Sequence, residues 1–298
     1  MLDSVKTNLR QSKIKSATLD IDDLIKSFEI VKSINEEALK LHLDYIDEFN
    51  SKSEIIPAEK EIKILKEKIS EKYVVGVEIQ TQKGRYIQTF DPDEAFDKKK
   101  IPDDVIHITI SNTILFGNQN EILQLYQIKI DLDFTKPALI DFTKGPSYET
   151  SNQSVIGVWG LLESWVDGVH DYINKYFEAR QNKRAWIHKK NMYDLIIWSL
   201  IIPIIFWNMY KIDIWITPKI EGMSSVFTTF LFIYLFIIGL LIFNLIFRYL
   251  RYAFPPVELK SNIHSKSKVI PKIITLVIIG YGIDIFRQII SWILDLLL

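Results

Sequence analysis

The sequence contains no cysteine, which excludes disulfides and thiolate chemistry. Its five histidines show no His-x-x-x-His or His-x-x-Glu spacing, and this argues against a zinc or iron centre. The acidic residues Asp91, Asp93 and Glu94 do not follow the spacing of an EF-hand loop, so a helix-capping turn is the simpler interpretation. We therefore predict neither a metal ion nor another cofactor.

Motifs of the common enzyme classes are also absent from the sequence. It has no glycine-rich phosphate loop, no Gly-x-Ser-x-Gly and no nucleophile with an assignable base. The formal net charge is −1, whereas a general nucleic-acid binder needs a basic face that supplies several phosphate contacts. We therefore predict that the protein is not an enzyme and has no nucleic-acid partner.

Long apolar runs, in contrast, dominate residues 191–298, which we predict to form a transmembrane domain. The run 226–247 contains no charge and would be roughly 33 Å long as a helix, enough to cross a bilayer. A first span is predicted at about 194–216, where Pro203 should kink the helix or loosen one turn. Basic residues flank both spans, so the positive-inside rule places the N-terminal part in the cytoplasm of a multi-pass cell-membrane protein.

A third apolar segment, at about 272–294, carries polar residues on one helical face. We call this face the polar stripe, and at about 100° per residue it consists of Gly280, Asp284, Arg287, Gln288, Ser291 and Asp295. About a dozen apolar side chains contribute roughly −0.3 to −0.6 kcal/mol each, while Asp284 and Arg287 cost roughly +2.5 to +3.5 kcal/mol each. The sum is close to zero, so the segment either crosses the bilayer with its stripe partnered or lies in the interface.

Two interpretations of the polar stripe stay open. Asp284 and Arg287 are three residues apart and can pair on a helix, so the stripe can simply lock the spans together. Alternatively, several copies assemble so that Asp284, Gln288, Ser291 and Asp295 surround a polar path that favours cations.

Residues 1–190 have the composition of a soluble domain. Helical spacing, with gaps at Asn35 and His42, predicts an N-terminal helical region over 1–72, capped by Thr18 or Asp20. Alternating apolar and polar residues predict a four-stranded antiparallel sheet over 73–154 with helices on one face. The fold class is therefore α+β, followed by an α-helical membrane domain with two or three spans.

The other face of the predicted sheet is polar. Its residues on the second predicted hairpin are His107, Thr109, Ser111, Lys129, Asp131 and Asp133. Such a face either binds a ligand or is simply solvated.

An apolar repeat of seven residues predicts one long amphipathic helix over 155–190 that leads into the first span. Its apolar positions are Val155, Val158, Leu162, Trp165, Val169, Tyr172 and Tyr176. This seam either covers the sheet or forms a self-association stalk that couples the soluble part to the membrane.

Together these patterns predict a cytoplasmic sensing or partner-binding domain coupled to an oligomeric membrane domain that alters permeability, as an effector or channel-like protein does. The expected partners are the lipid bilayer, further copies of the chain, and a cytoplasmic protein or small-molecule ligand. The alternative is a membrane-anchored adaptor or scaffold with no transport role. The layout is similar to that of membrane-disrupting effectors and membrane-tethered sensors in bacteria, an architectural likeness that assigns no residue a role.

Overall fold

A computed structural model describes residues 7–52, 59–97, 101–102, 104–113, 124–139, 145–220 and 222–260. These residues belong to two compact units. The first, which we call the α+β unit, is drawn from Met1–Thr135, Asn152–Lys183 and Pro256–Ile263. The second, which we call the hairpin unit, is drawn from Lys136–Ser151 and Arg184–Pro255.

The α+β unit is built on an antiparallel sheet of six strands in the order β1-β7-β6-β5-β3-β4. The strands are β1 (Asn8–Lys13), β3 (Gly76–Thr81), β4 (Tyr86–Thr89), β5 (Val105–Ser111), β6 (Gln127–Asp133) and β7 (Val155–Gly160). The two predicted hairpins, β3 with β4 and β5 with β6, are present, but the prediction of four strands is wrong. β7 pairs with β6, and β1 pairs with β7 as an edge strand.

Helices cover one face of this sheet. The helices of the unit are α1 (Ile21–Lys52), α2 (Glu59–Lys72), which packs against α1, the short α3 (Pro92–Ala95), which packs against β4 and β3, and α4 (Glu163–Glu178). α1 packs against β5 and β6, while α4 packs against β7 and β1. Buried residues such as Phe28 and Val31 on α1, Ile130 on β6 and Val169 on α4 join in one apolar core. The unit is therefore α+β with its helices on the apolar face of the sheet.

The predicted N-terminal helical region over 1–72 contains α1 and α2, but it does not begin as a helix. Two strands, β1 and β2 (Ala17–Leu19), precede α1. Asp20 then begins the helix, because its Oδ1 accepts from the Asp23 N–H at 2.9 Å and its own N–H donates to Asp23 Oδ2 at 3.0 Å. This is a reciprocal capping box with aspartate in both positions.

A buried polar network connects α1 to the sheet. Asn35 Nδ2 donates to the Tyr73 carbonyl at 2.7 Å, and Asn112 Nδ2 donates to Asn35 Oδ1 at 2.8 Å. Asn112 Oδ1 in turn accepts from the Ile128 N–H at 2.9 Å, and His42 Nδ1 lies 2.9 Å from the Tyr73 hydroxyl. Buried polar groups are tolerated when each finds a partner, so this network accounts for the gaps at Asn35 and His42 in the apolar spacing of α1.

The predicted single helix over 155–190 is wrong. Val155 and Val158 lie on β7, Leu162 is the N-cap of α4, and α4 ends at Glu178. A separate 3₁₀ turn, Ala185–His188, follows in the hairpin unit. The apolar repeat therefore belongs to a strand followed by a helix. Of its α4 positions, Trp165 and Val169 are buried in the core and Tyr172 is 57% exposed, so this seam covers the sheet rather than forming a continuous stalk.

The hairpin unit contains two helices that are long and apolar enough to cross a membrane, Met192–Ile216 and Ser225–Ala253. The first consists of α5 (Met192–Ile196), a π-helical turn (Ile197–Ile201) and α6 (Ile202–Ile216); the second is α7 (Ser225–Ala253). Only 11% of the most apolar stretch of each is buried, unlike a core helix of a soluble protein. The third segment, 272–294, lies outside the described residues.

The residues that follow α7 return to the α+β unit. β8 (Val257–Leu259) pairs in parallel with β2 as a two-stranded sheet, in the register Ala17 with Val257 and Leu19 with Leu259. All four of these side chains are at most 2% exposed and belong to the apolar core of the α+β unit. The predicted membrane domain 191–298 therefore contributes a strand to the α+β unit.

Candidate functional site

One short segment of the α+β unit, residues 17–23, binds two other parts of this unit. One part lies just before the chain enters the hairpin unit, and the other lies just after the chain leaves it. The Thr18 N–H donates to the Arg180 carbonyl at 3.0 Å, just after α4. The Ala17 N–H donates to the Pro256 carbonyl at 3.1 Å, just after α7. Successive N–H groups of an extended strand point to opposite sides, so β2 binds both chain segments at once. We call this arrangement the hairpin latch.

Two ion pairs reinforce the hairpin latch at the start of α1. Arg180 Nε lies 2.6 Å from Asp23 Oδ1, and its guanidinium carbon lies 3.6 Å from the centre of the Tyr176 ring. Lys260 Nζ lies 2.9 Å from Asp20 Oδ2. The hydrogen bond from Lys260, followed by the backbone N–H of Asp23, holds the pKa of Asp20 below its ordinary value. The capping carboxylates of α1 therefore each bind a cation from one end of the hairpin.

In the hairpin unit, a buried arginine binds backbone carbonyls. Arg251 is 8% exposed, and its Nη1 donates to the carbonyls of Pro146 and Tyr148, both at 2.9 Å. Its Nε donates to the Ile187 carbonyl at 3.0 Å, and its guanidinium lies 4.7 Å from the Phe247 ring centre. Five N–H donors in a planar fork allow arginine to join several loops in this way. Arg251 thus fixes the end of α7 to the segments that precede α5.

His188 is the second polar connection in the same place. Its Nε2 lies 2.7 Å from the Phe254 carbonyl, and its Nδ1 lies 3.0 Å from Thr150 Oγ1. A carbonyl only accepts, so Nε2 carries the hydrogen and Nδ1 accepts from the threonine hydroxyl. Burial lowers the pKa of His188 to about 4, so the ring is neutral at physiological pH and acts as a fixed connector.

The polar face of the sheet brings together most of the residues predicted there. Asp131 accepts from Thr109 Oγ1 at 2.7 Å and binds Lys129 Nζ at 2.8 Å, while His107 Nε2 lies 3.6 Å away. Burial by itself would raise the pKa of Asp131, but its polar contacts with His107, Lys129 and Thr109 lower it to about 2. The carboxylate is therefore ionised and already occupied by its neighbours.

The remaining predicted residues of this face also have partners. Ser111 Oγ lies 2.7 Å from Thr113 Oγ1, and Asp133 accepts from the N–H groups of Thr135 at 2.9 Å and Gln153 at 3.1 Å. Thr109 and Ser111 are buried, so these groups form a polar cluster whose members bond to one another and to neighbouring N–H groups. Among the described residues, no group of three or more His, Cys, Asp or Glu side chains could hold a metal ion.

Of two features predicted for the membrane domain, the structure describes Pro203 but not the polar stripe. The π-helical turn Ile197–Ile201 ends two residues before Pro203, and α6 begins with this proline in its first turn. A proline has no N–H to donate, so the helical hydrogen-bond pattern must change there. All six residues of the polar stripe, by contrast, lie outside the described residues.

Sequence reasoning did not identify the hairpin latch. β2 and β8 are only three residues long, and Asp20 and Lys260 lie 240 positions apart. Neither alternation nor spacing reveals a parallel pairing over that distance. The local sequence predicts one member of the latch, Asp20, as a helix cap.

No protein-family model, no curated protein and no solved structure matches this chain. The function of this chain must therefore be inferred from its own residues.

Proposed function

We propose that this protein is a membrane effector in which a cytoplasmic α+β unit controls a membrane domain that alters permeability. The hairpin latch is the observation that carries the proposal. Its segment 17–23 binds Arg180 on one side and Pro256 on the other, and it also begins α1. A rearrangement of the α+β unit at this segment would therefore act on both ends of the hairpin together.

The charge pattern around the hairpin supports a cytoplasmic location for the α+β unit. Arg184, Lys189 and Lys190 precede the first long helix, and Arg248 and Arg251 lie in the last two turns of the second. The connection between the two helices has no comparable cluster of basic residues. Under the positive-inside rule, both outer ends of the hairpin face the cytoplasm.

The two described spans alone offer no polar path through a bilayer. α7 has no charged residue before Arg248, and in α6 the charged residues Lys211 and Asp213 lie near the end of the helix. We therefore assign the change in permeability to the polar stripe around Asp284, brought together by self-association.

Dissipation of the membrane potential in cells that express the full chain tests this function. We expect Asp284→Asn to abolish the leak, because it removes the central carboxylate of the stripe. Arg180→Gln should reduce the leak, because it breaks the ion pair with Asp23 that reinforces the hairpin latch.

The matched controls are Asp213→Asn and Arg85→Gln, which change exposed residues of the same types elsewhere in the chain. Both should leave the leak unchanged at equal expression in the membrane. An undiminished leak in Asp284→Asn and Asp284→Leu would contradict the proposal.

A membrane-anchored adaptor is the second candidate, and the wholly apolar middle of α7 favours it. In this function the polar stripe only packs spans together. Replacing Asp284 and Arg287 jointly by leucine should then preserve capture of a partner by the full chain, whereas an effector should lose its leak.

A further inference from the structure

A groove in the α+β unit lies beside the hairpin latch. It has a volume of about 450 Å³, within the range of small-molecule sites. The link between β1 and β2 forms one wall, with Lys13, Lys15 and Ser16. The end of α4 and the residues after it form the other wall, with Asn174 and Gln181.

Ser16 is the buried polar group of this groove. The residue is 4% exposed, and among the described residues its Oγ has no hydrogen-bond partner. A buried hydroxyl without a partner is unfavourable, and such groups in native proteins call for an explanation. A ligand oxygen in the groove would supply the missing partner.

The charges around the groove favour an anion. Lys13 and Lys15 are exposed at its rim, whereas Glu178 already accepts a hydrogen bond from Asn174 Nδ2 at 2.7 Å. The negative end of the α4 dipole would oppose an anion, but Arg180 Nη1 donates to the Tyr176 carbonyl there at 2.9 Å. Lysines with hydroxyl and amide donors are a common setting for phosphate oxygens.

We propose that this groove binds a phosphate-bearing anion, with Ser16 Oγ donating to a phosphate oxygen and Lys13 and Lys15 neutralising its charge. The same chemistry could come from a soluble phosphate compound or from an anionic lipid headgroup. Binding at the groove stands independently of the function proposed above.

The regulatory part of this inference rests on the proposed function. Ser16 directly precedes Ala17, which donates to Pro256, and Gln181 directly follows Arg180, which accepts from Thr18. An anion held by both walls would therefore tighten the hairpin latch. In the effector, the ligand would act on the permeability of the membrane domain.

Calorimetric titration of the full chain in detergent with inorganic pyrophosphate, and separately with inorganic phosphate, tests the site. We expect Ser16→Ala to weaken binding about tenfold and Lys13→Gln with Lys15→Gln to weaken it further, increasingly so at low salt. Ser70→Ala and Lys68→Gln change exposed residues on α2 and should bind as the unchanged protein does. The Tm of Ser16→Ala should not fall, because the hydroxyl it removes has no partner in the described residues.

A second arm separates the two sources of phosphate. The protein, held in nanodiscs, is floated with vesicles of phosphatidylcholine, with and without phosphatidic acid. The fraction of protein that floats with the vesicles measures binding to the lipid headgroup. Binding of any of the three probes that Ser16→Ala weakens supports the site. Binding of pyrophosphate or inorganic phosphate identifies a soluble ligand, and binding of phosphatidic acid identifies a lipid headgroup. Absence of binding to all three probes, or binding that Ser16→Ala leaves unchanged, overturns it. A confirmed site without any effect of Asp284→Asn on the leak would instead refute the proposed function alone.

Discussion

His42 shows how burial determines the protonation state of a single residue. It is 3% exposed, and its Nδ1 lies 2.9 Å from the Tyr73 hydroxyl. That hydroxyl already accepts from the Tyr126 N–H at 3.3 Å, so its own hydrogen is directed to His42 Nδ1. Burial lowers the pKa of His42 to about 4 and keeps the ring neutral.

The stability of the α+β unit should therefore depend on pH. In the unfolded chain His42 becomes protonated below about pH 6.5, whereas in the folded state it becomes protonated only near pH 4. The free energy of unfolding therefore has its full value above pH 6.5 and decreases as the pH falls toward 4. The loss over this window is about 3 kcal/mol for the one residue. Protection factors of α1 amides in hydrogen exchange, compared at pH 4.5 and pH 7, measure it.

His42→Gln is the control for this pH dependence, because glutamine can still accept from Tyr73 but does not titrate in this range. Its α1 protection should change much less between the two pH values. An equal pH dependence in His42→Gln and the unchanged chain would show that another group is responsible.

The same residues show which interactions a sequence reveals. Asp20 could be predicted as a cap because its partner, Asp23, is three residues away. His42 and Asn35 appeared only as polar gaps in an apolar spacing, because their partners Tyr73 and Asn112 are brought to them by the fold. Local hydrogen bonds follow from sequence spacing, whereas the partners of buried polar residues depend on packing.

Among the elements, β3 with β4 could be predicted and β7 could not. The first hairpin alternates clearly and turns at Gly84, whose φ of 78° suits glycine. β7 has apolar residues at Val155 and Val158, three positions apart, and this spacing is also typical of one face of a helix. The fold makes it a strand, because β7 pairs with β6 on one side and with β1 on the other. β1 was missed because it is a mostly polar edge strand.

Close packing of α6 and α7 at Gly239 yields a prediction for these elements. A Cβ there would meet Ile205 side-chain atoms at 3.1 Å, tighter than ordinary van der Waals contact. Small residues let helices approach closely in a membrane, so Gly239→Leu should push α6 and α7 apart. The Phe206 and Phe236 rings, 5.5 Å apart, mark nearby positions for a cysteine pair. The disulfide between Phe206→Cys and Phe236→Cys should form at least tenfold more slowly when Gly239→Leu is present.

The chain has no native cysteine, so only the introduced pair can report in this assay. Ile242→Leu, at a position 52% exposed on the same helix, is the control and should leave the rate of disulfide formation unchanged. Equal rates with Gly239→Leu and Ile242→Leu would mean that the close approach of the helices is not needed in the membrane.

At the scale of the whole molecule, the charge pattern predicts a topology. Met223, between the two long helices, is 53% exposed and should lie outside the cell, while Ser70 of the α+β unit should lie inside. A membrane-impermeant maleimide applied to intact cells should label Met223→Cys and should label Ser70→Cys only after permeabilisation. Labelling of both on intact cells, or of neither, would contradict the proposed hairpin.

The division into an α+β part and an apolar helical part could be predicted from composition, because helices that are long and apolar enough to cross a membrane stand out in a sequence. The boundary between the parts could not. β8 belongs to the α+β unit, although it follows two apolar helices in the chain, and its pairing with β2 depends on the tertiary fold.

The position of β8 has a consequence for the order of events during synthesis. Val257 and Leu259 complete the apolar core of the α+β unit, yet the ribosome adds them only after both long helices. Until then β2 lacks the strand with which it pairs, and closing this contact spans most of the chain. The α+β unit therefore cannot finish folding before the two long helices have been translated. A fragment that stops before residue 191 would lack this strand and should fold incompletely.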